Sequence, residues 1–457
     1  MSLSRRDLMR ALGAAGVTAS FGRSFAQTST IDPNRQFLFL YFSGGWDQTQ
    51  CFDPRDPAQF PDALKATTGI ELAWGDLPVG LGRAVVRPTG SNIAFGPSIG
   101  RLREHFDQMC VVRGMSMETL THQVGMRRFL TGKAPAGQNA RGSSTGAMVA
   151  EQLAAARPDK LGQIPNLVFD VEAYYEGATP AARPFRASID STYSLTAAFT
   201  RGLAGYFGDL ALAKLTAPPS LLAGYRAAQR CDPVPDPRGV RLSVRQAQAR
   251  NDEMFASGLA REFDLGHPAN TPDVLRYGAF PGTPGAAAFI ARQALRTGVS
   301  NCVTVQMQDE LDTHASNHGT FHATRLVEAF DKVALLMEDL RTLSHPAGGK
   351  LIDHTTVLLF SEFTRTALLN PARGRDHSLT NCCALLGAGV PHNRVVGASS
   401  DVGMEPQPVR RSDGQVALND MDAVVLRPDH VLASMLRGAG YDPGSVREPV
   451  PCLMQTA

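Results

Sequence analysis

Three apolar runs set the first limit on this chain. FLFLYF (37–42), CVTVQM (302–307) and TTVLLF (355–360) are apolar at consecutive positions more than at alternate ones. A strand with one wet face alternates; a continuous run needs cover on both faces, as in a parallel sheet with helices on either side. QMCVVRGM (108–115), NLVFDV (166–171) and CCALLGAGV (382–390) read the same way. Helical stretches alternate with them: SSTGAMVAEQLAAAR (143–157), AAAFIARQALRTG (286–298), FHATRLVEAFDKVALLMEDLRTL (321–343) and PDHVLASMLRGAG (428–440). The second closes on glycine and the third repeats apolar residues at three-and-four spacing, as helix ends and amphipathic faces do. This alternation predicts an α/β fold, a three-layer α/β/α sandwich about a mainly parallel sheet.

With 457 residues, 43% of them hydrophobic and 19% charged, there is material for one large domain. We read residues 27–457 as that domain. About 180–280 forms a helical insertion, with stretches such as VRQAQARNDEMFASGLAREF between proline-rich loops. Residues 1–26 stand apart. A twin arginine in SRRDLMR, a modest apolar stretch ALGAAGVTASFG and a small-x-small site before Gln27 predict a Tat export signal, with the translocase as a transient partner. The apolar stretch is too short and glycine-rich for a stable membrane span. A periplasmic or secreted location follows.

The formal charge is +2, and losing the signal removes four arginines and one aspartate, leaving −1. Nothing in that balance asks for nucleic acid. Seven scattered cysteines without a CxxC pair make neither a zinc ribbon nor a disulfide framework. Cys302, Cys382 and Cys383 lie in apolar runs and are expected in the core.

In such a sheet, ligands bind beyond the carboxyl ends of the strands. Asp47 follows the first run. QDELDTHASNHGTFH follows the second, with Asp309, Asp312, His314, His318 and His322. SEFTR, with Glu362 and Arg365, follows the third; GRDHS, with Asp376 and His377, precedes the next strand. Gathered carboxylates repel one another unless a cation sits among them. Mixed Asp, Glu and His favours one or two ions of zinc, manganese or iron; calcium and magnesium stay open. The expected ligands are Asp47, Asp312, His314, His318, Glu362, Asp376 and His377. His314 and His318, four apart, would share a face in a helix. His322 is expected one turn into the following helix, as a supporting or core residue outside the metal set.

FLYFSGGWD, RGMSMETLTHQVGMRRFLTG, LDTHASNHG, SEFTRT and GRDHS, in this order, resemble the family designated DUF1501, which in turn resembles the alkaline phosphatase and sulfatase superfamily. That resemblance implies an alkaline phosphatase-like sandwich with metal at the strand ends and cleavage of phosphate or sulfate esters. It aligns Asp47, Asp312, His318 or His314, Glu362 and His377 with metal positions, and places His122 where a sulfatase carries its modified cysteine. No Cys-x-Pro-x-Arg pattern occurs, so a formylglycine sulfatase is not expected. Three roles stay open for His122: a ligand beside a nucleophilic Thr121, a nucleophile itself, or a vestige. Arg127 or Arg128 is expected to clamp oxyanion oxygens, and the helix that begins here turns its amides toward an anion. There is no G-x-S-x-G elbow, Walker loop or Rossmann fingerprint.

The expected function is that of an exported, metal-dependent hydrolase of phosphate or sulfate esters, acting on a small anionic ester or an envelope glycan. The alternative is a secreted metal-binding protein without turnover, acting at an envelope polysaccharide or as an accessory to another exported protein.

Overall fold

The computed structural model describes residues 30–187, 259–444 and 448–455, apart from positions 135 and 138. Residues 1–26, read as an export signal, and most of the stretch read as a helical insertion lie outside the described residues. Eight strands form one sheet: β1 (Gln36–Phe42), β2 (Met109–Ser116), β3 (Asn166–Phe169), β4 (Phe185–Ala187), β5 (Cys302–Gln308), β6 (Thr355–Ser361), β7 (Thr380–Gly387) and β8 (Arg394–Val396). Their order is β8-β2-β7-β6-β1-β5-β3-β4. All run parallel except β7, which is antiparallel to both β2 and β6.

Five helices of ten or more residues are described: α1 (His122–Thr131), α2 (Thr145–Ala156), α3 (Pro284–Arg296), α4 (Ala323–Thr342) and α5 (Pro428–Gly438). Every residue of β1 is buried, and its side chains divide between two cores. Leu38, Leu40 and Phe42 pack with α3 and α4; Phe37, Phe39 and Tyr41 pack with α1, α2 and α5. Each large apolar side chain so buried contributes about 1.5–3 kcal/mol, so a continuous apolar strand is stable only with both faces covered. The three-layer α/β sandwich expected from the sequence is present. Helix α3 shows the local signals that start it: Pro284 is its first residue, and the Thr283 side chain accepts a hydrogen bond from the Ala286 amide at 3.2 Å.

Register places the chemistry. Phe42 lies level with Gln308 and with Ser361, so the chain leaves β1, β5 and β6 at one edge. Ser116, at the end of β2, is level with Thr380, at the start of the reversed β7. His377 therefore reaches that edge by preceding its strand. A two-residue ribbon, Thr364–Arg365 against His377–Ser378, pairs Arg365 with His377. The turn after β1 needs Gly44: its φ is +108°, and a Cβ there would lie 2.4 Å from the Asp312 amide nitrogen. Among the described residues no helix is long and apolar enough to cross a membrane.

Candidate metal centre

The strand-end residues separate into two clusters. One is buried. Asp47, 1% exposed, caps the short turn Gln48–Gln50: its Oδ1 accepts from the Thr49 amide at 2.8 Å and the Thr49 hydroxyl at 2.7 Å. Its Oδ2 lies 3.0 Å from Arg375 Nε and 3.0 Å from His318 Nε2. The Asp47 amide donates to His322 Nε2 at 2.9 Å, and Thr313 Oγ1 lies 3.0 Å from His322 Nδ1 and 2.8 Å from His318 Nδ1.

These partners assign every proton. His322 accepts on Nε2, so Nδ1–H donates to Thr313; the threonine donates to His318 Nδ1; His318 Nε2–H donates to Asp47. A closed ring of four hydrogen bonds results, with both imidazoles neutral. Burial pushes the pKa of His318 down and that of His322 well down. Burial alone would raise Asp47, but Arg375, His318 and His322 outweigh it and hold the carboxylate far below its usual range.

The second cluster is open to solvent. His122 Nδ1 lies 2.6 Å from Glu362 Oε1, His314 Nδ1 2.9 Å from Asp376 Oδ1, and His377 Nδ1 2.6 Å from the Leu120 carbonyl. Each imidazole is thus held through Nδ1 by an oxygen acceptor and turns Nε2 inward, toward Asp312. His122 Nε2 is 3.4 Å from Asp312 Oδ2; His314 Nε2 and His377 Nε2 are 3.0 and 3.6 Å from Oδ1. Arg365 Nη1 donates to His314 Nε2 at 3.1 Å, so that nitrogen carries a lone pair. His377 Nε2, 3.1 Å from it, carries one too, because burial lowers the His377 pKa and its proton is committed to Leu120.

Two nitrogen lone pairs and a carboxylate oxygen therefore face one another. The ligand atoms of His122, Asp312 and His377 all lie within 4.8 Å of one another. Spacings near 3–4 Å are those of donors about 2.1 Å from one ion. A histidine that donates Nδ1–H to a carboxylate or carbonyl and offers Nε2 is the usual form of an oriented metal ligand. Asp312, Glu362 and Asp376 supply three carboxylates against the single guanidinium of Arg365. Burial raises Asp312, but the Arg365 hydrogen bond and charge outweigh it and keep its pKa low. The residues fit a divalent cation.

The chain positions each imidazole for a local reason. Helix α1 starts at His122, with Thr121 as N-cap, and the exposed Thr121 side chain makes no capping bond. The helix packs close against the end of β6: a Cβ on Gly125 would lie 2.4 Å from the Glu362 carbonyl oxygen. Glu362 is fully buried and accepts from the Gly44 amide at 2.8 Å and the Ser361 hydroxyl at 2.9 Å as well as bonding His122. The Phe363 ring stacks on His377 at 4.3 Å and lies 4.8 Å from His122, an apolar floor beneath both.

Of the residues expected from the sequence, Asp312, His314, Asp376, His377, Glu362 and His122 come together, with Thr121 adjoining. Asp47 and His318 lie in the buried ring instead. His314 and His318 do not share a helical face: His314 lies outside any helix, and His318 opens the π-helical turn His318–His322 that leads into α4. His322 is buried and supports Asp47, outside the open cluster. Arg128, expected at the oxyanion, takes other partners. Its side chain is fully buried, 2.8 Å from Glu118 and 3.2 Å from Asp429. Arg127 bonds Glu172 and Tyr174. Sequence reasoning missed the parts played by Thr313, Arg365, Arg375 and the Leu120 carbonyl. The arginines adjoin the TR and RDH segments, but their partners are carbonyls and carboxylates from distant loops.

A family model described as "Protein of unknown function (DUF1501)" matches residues 34–179 and 236–428, and the chain belongs to that family. No curated protein matches. Among solved structures, a phosphonate monoester hydrolase from Silicibacter pomeroyi aligns over 93% of this chain and 77% of its own, at 12% identity and a TM-score of 0.34.

Proposed function

For this member of the DUF1501 family we propose the role of an exported, metal-dependent hydrolase of phosphate or sulfate esters. The observation that carries the reading is the convergence of three Nε2 atoms on Asp312 while each Nδ1 is held by an oxygen. His122, His377 and Asp312 would hold the ion, with His314, whose Nε2 accepts from Arg365, beside them; zinc, manganese or iron suits this donor set. A bound ion at such a site supplies Lewis acidity toward an ester oxygen.

The chain's own groups divide the remaining work. Glu362 orients His122. Asp376 and Leu120 fix the tautomers of His314 and His377. Arg365 keeps Asp312 ionised and adds positive charge beside the donors. Thr121 carries a hydroxyl free of capping duty next to His122, and α1 begins at His122, so a helix N-terminus, which favours an anionic group, adjoins the cluster. Among the roles open to His122, its bond to Glu362 favours that of ligand, with Thr121 as nucleophile.

The test is turnover on a panel of phosphate and sulfate esters, with metal content measured alongside. Thr121→Ala should abolish turnover and keep the metal, and Thr121→Ser should restore part of the rate. Loss of nothing on Thr121→Ala removes the nucleophile assignment. Bound metal with no turnover on any ester would favour the second reading, a metal-binding protein acting at an envelope polysaccharide or as an accessory to another exported protein.

A further inference from the structure

The open cluster gathers five ligand atoms: Nε2 of His122, His314 and His377, and both carboxylate oxygens of Asp312. A set of that size could serve one ion or two. The Arg365 guanidinium decides how much of it is free. It is buried, and each of its five N–H groups meets an acceptor. Nε donates to the Gly45 carbonyl at 3.0 Å. Nη1 donates to the Arg375 carbonyl and to His314 Nε2, both at 3.1 Å. Nη2 donates to the Gly44 carbonyl and to Asp312 Oδ1. His314 Nε2 and Asp312 Oδ1 therefore already face a cation, and one that does not deprotonate. The three carbonyls hold it from behind, and the ribbon that pairs Arg365 with His377 fixes its backbone.

The buried ring is closed in the same way. Asp47 Oδ2 lies 3.0 Å from Arg375 Nε and 3.0 Å from His318 Nε2, and Oδ1 accepts twice from Thr49. Arg375 is held in turn by the carbonyls of Thr366, Glu71 and Leu72. A buried guanidinium thus stands beside the carboxylate of each cluster.

We infer that the open cluster takes one divalent ion and no second, because Arg365 fills the second place with a permanent charge of its own. The inference rests on the metal-dependent reading of this cluster. The atoms left to the ion are His122 Nε2, His377 Nε2 and Asp312 Oδ2. Three protein ligands leave a position open, as catalytic sites do. His314 is a positioning residue: it joins Asp376 to Arg365 and does not touch the ion.

Calorimetric titration of the purified protein with zinc, checked by elemental analysis, tests this. Each count is taken above that of Asp312→Ala, so that adventitious surface sites cancel. Wild type should take one equivalent. His314→Ala should also take one, within about threefold of the wild-type affinity, whereas His377→Ala should lose at least about tenfold. Arg365→Gln frees His314 Nε2 and Asp312 Oδ1 and should admit a second equivalent. Arg365 is buried, so that variant is read alongside a Tm showing that it folds, and His314→Ala carries the test without it. Two equivalents in wild type, a loss of about tenfold in His314→Ala, or one equivalent in folded Arg365→Gln would overturn the inference and leave the metal centre standing. No zinc in wild type would overturn the metal centre and the inference together.

Discussion

The Nε2 atoms of His314 and His377 lie 3.1 Å apart, and neither has a proton to offer the other. Their protons are committed on the far side of each ring, to Asp376 and to the Leu120 carbonyl. Asp312 Oδ1 faces both. Arg365 meets the His314 electron pair and Asp312, the His377 pair is left facing them, and a cation there would relieve the repulsion; for that reason the metal is proposed for the open cluster and not for the buried ring around Asp47.

That division is testable by paired variants. His377→Ala should weaken metal binding at least about tenfold with little change in the metal-free Tm. His322→Ala should leave the metal stoichiometry intact and destabilise the fold by about 1–3 kcal/mol, because the Asp47 amide loses its buried acceptor. Elemental analysis with thermal melts reads both, and the reverse pattern would exchange the roles of the two clusters.

Glu362 touches His122 and not Asp312, so it should tune the site from behind. Glu362→Gln is expected to reduce metal affinity about 10–100-fold and to leave a folded protein, since an amide fills the same space. Competition with a chelator measures this. An unchanged affinity would mean that His122 is oriented without Glu362.

Stability should fall in mild acid. His318 and His322 have folded pKa values below the usual imidazole value of about 6.5. In that window the unfolded chain binds more protons, so stability drops as pH falls below about 6.5, by up to about 1.4 kcal/mol per pH unit for each histidine. Asp47, also depressed, adds a loss of the same sign below about pH 3.9. Urea midpoints of the metal-free protein between about pH 7 and about pH 5 should show this slope, and it should be smaller in His322→Asn. A flat wild-type profile would contradict neutral imidazoles in the ring.

Gly125→Ala places a methyl group 2.4 Å from the Glu362 carbonyl oxygen. Helix α1 must then move off the end of β6 and carry His122 with it. Metal affinity should fall by at least about tenfold, before the fold is lost, whereas Gly298→Ala, at a site with no atom within 4 Å and φ +67°, should affect stability alone. Equal metal affinity in both variants would show that the close approach does not position His122.

Much of the layered fold could be read without coordinates. FLFLYF is apolar at every position and TTVLLF at four in a row, and burial on two faces is a local demand that any fold must meet. The position of Asp312 and Glu362 after their strands was equally legible, because parallel strands end together. The reversal of β7 was not, and it explains why His377 serves the site from the start of a strand. The partners of Arg128 were illegible for a related reason: Glu118 and Asp429 come from the loop after β2 and from α5, and the sequence does not show that they meet.

Residue pattern alone thus determined which segments are strands, which are helices, and which carry titratable groups to the strand ends. Tertiary structure decided which of those groups meet. His122, Asp312, Glu362 and His377 lie far apart along the chain, and only strand register and helix docking set their separations to 2.6–3.6 Å. It also decided which nitrogen of each histidine faces inward, because a tautomer is chosen by hydrogen-bond partners that the sequence does not specify.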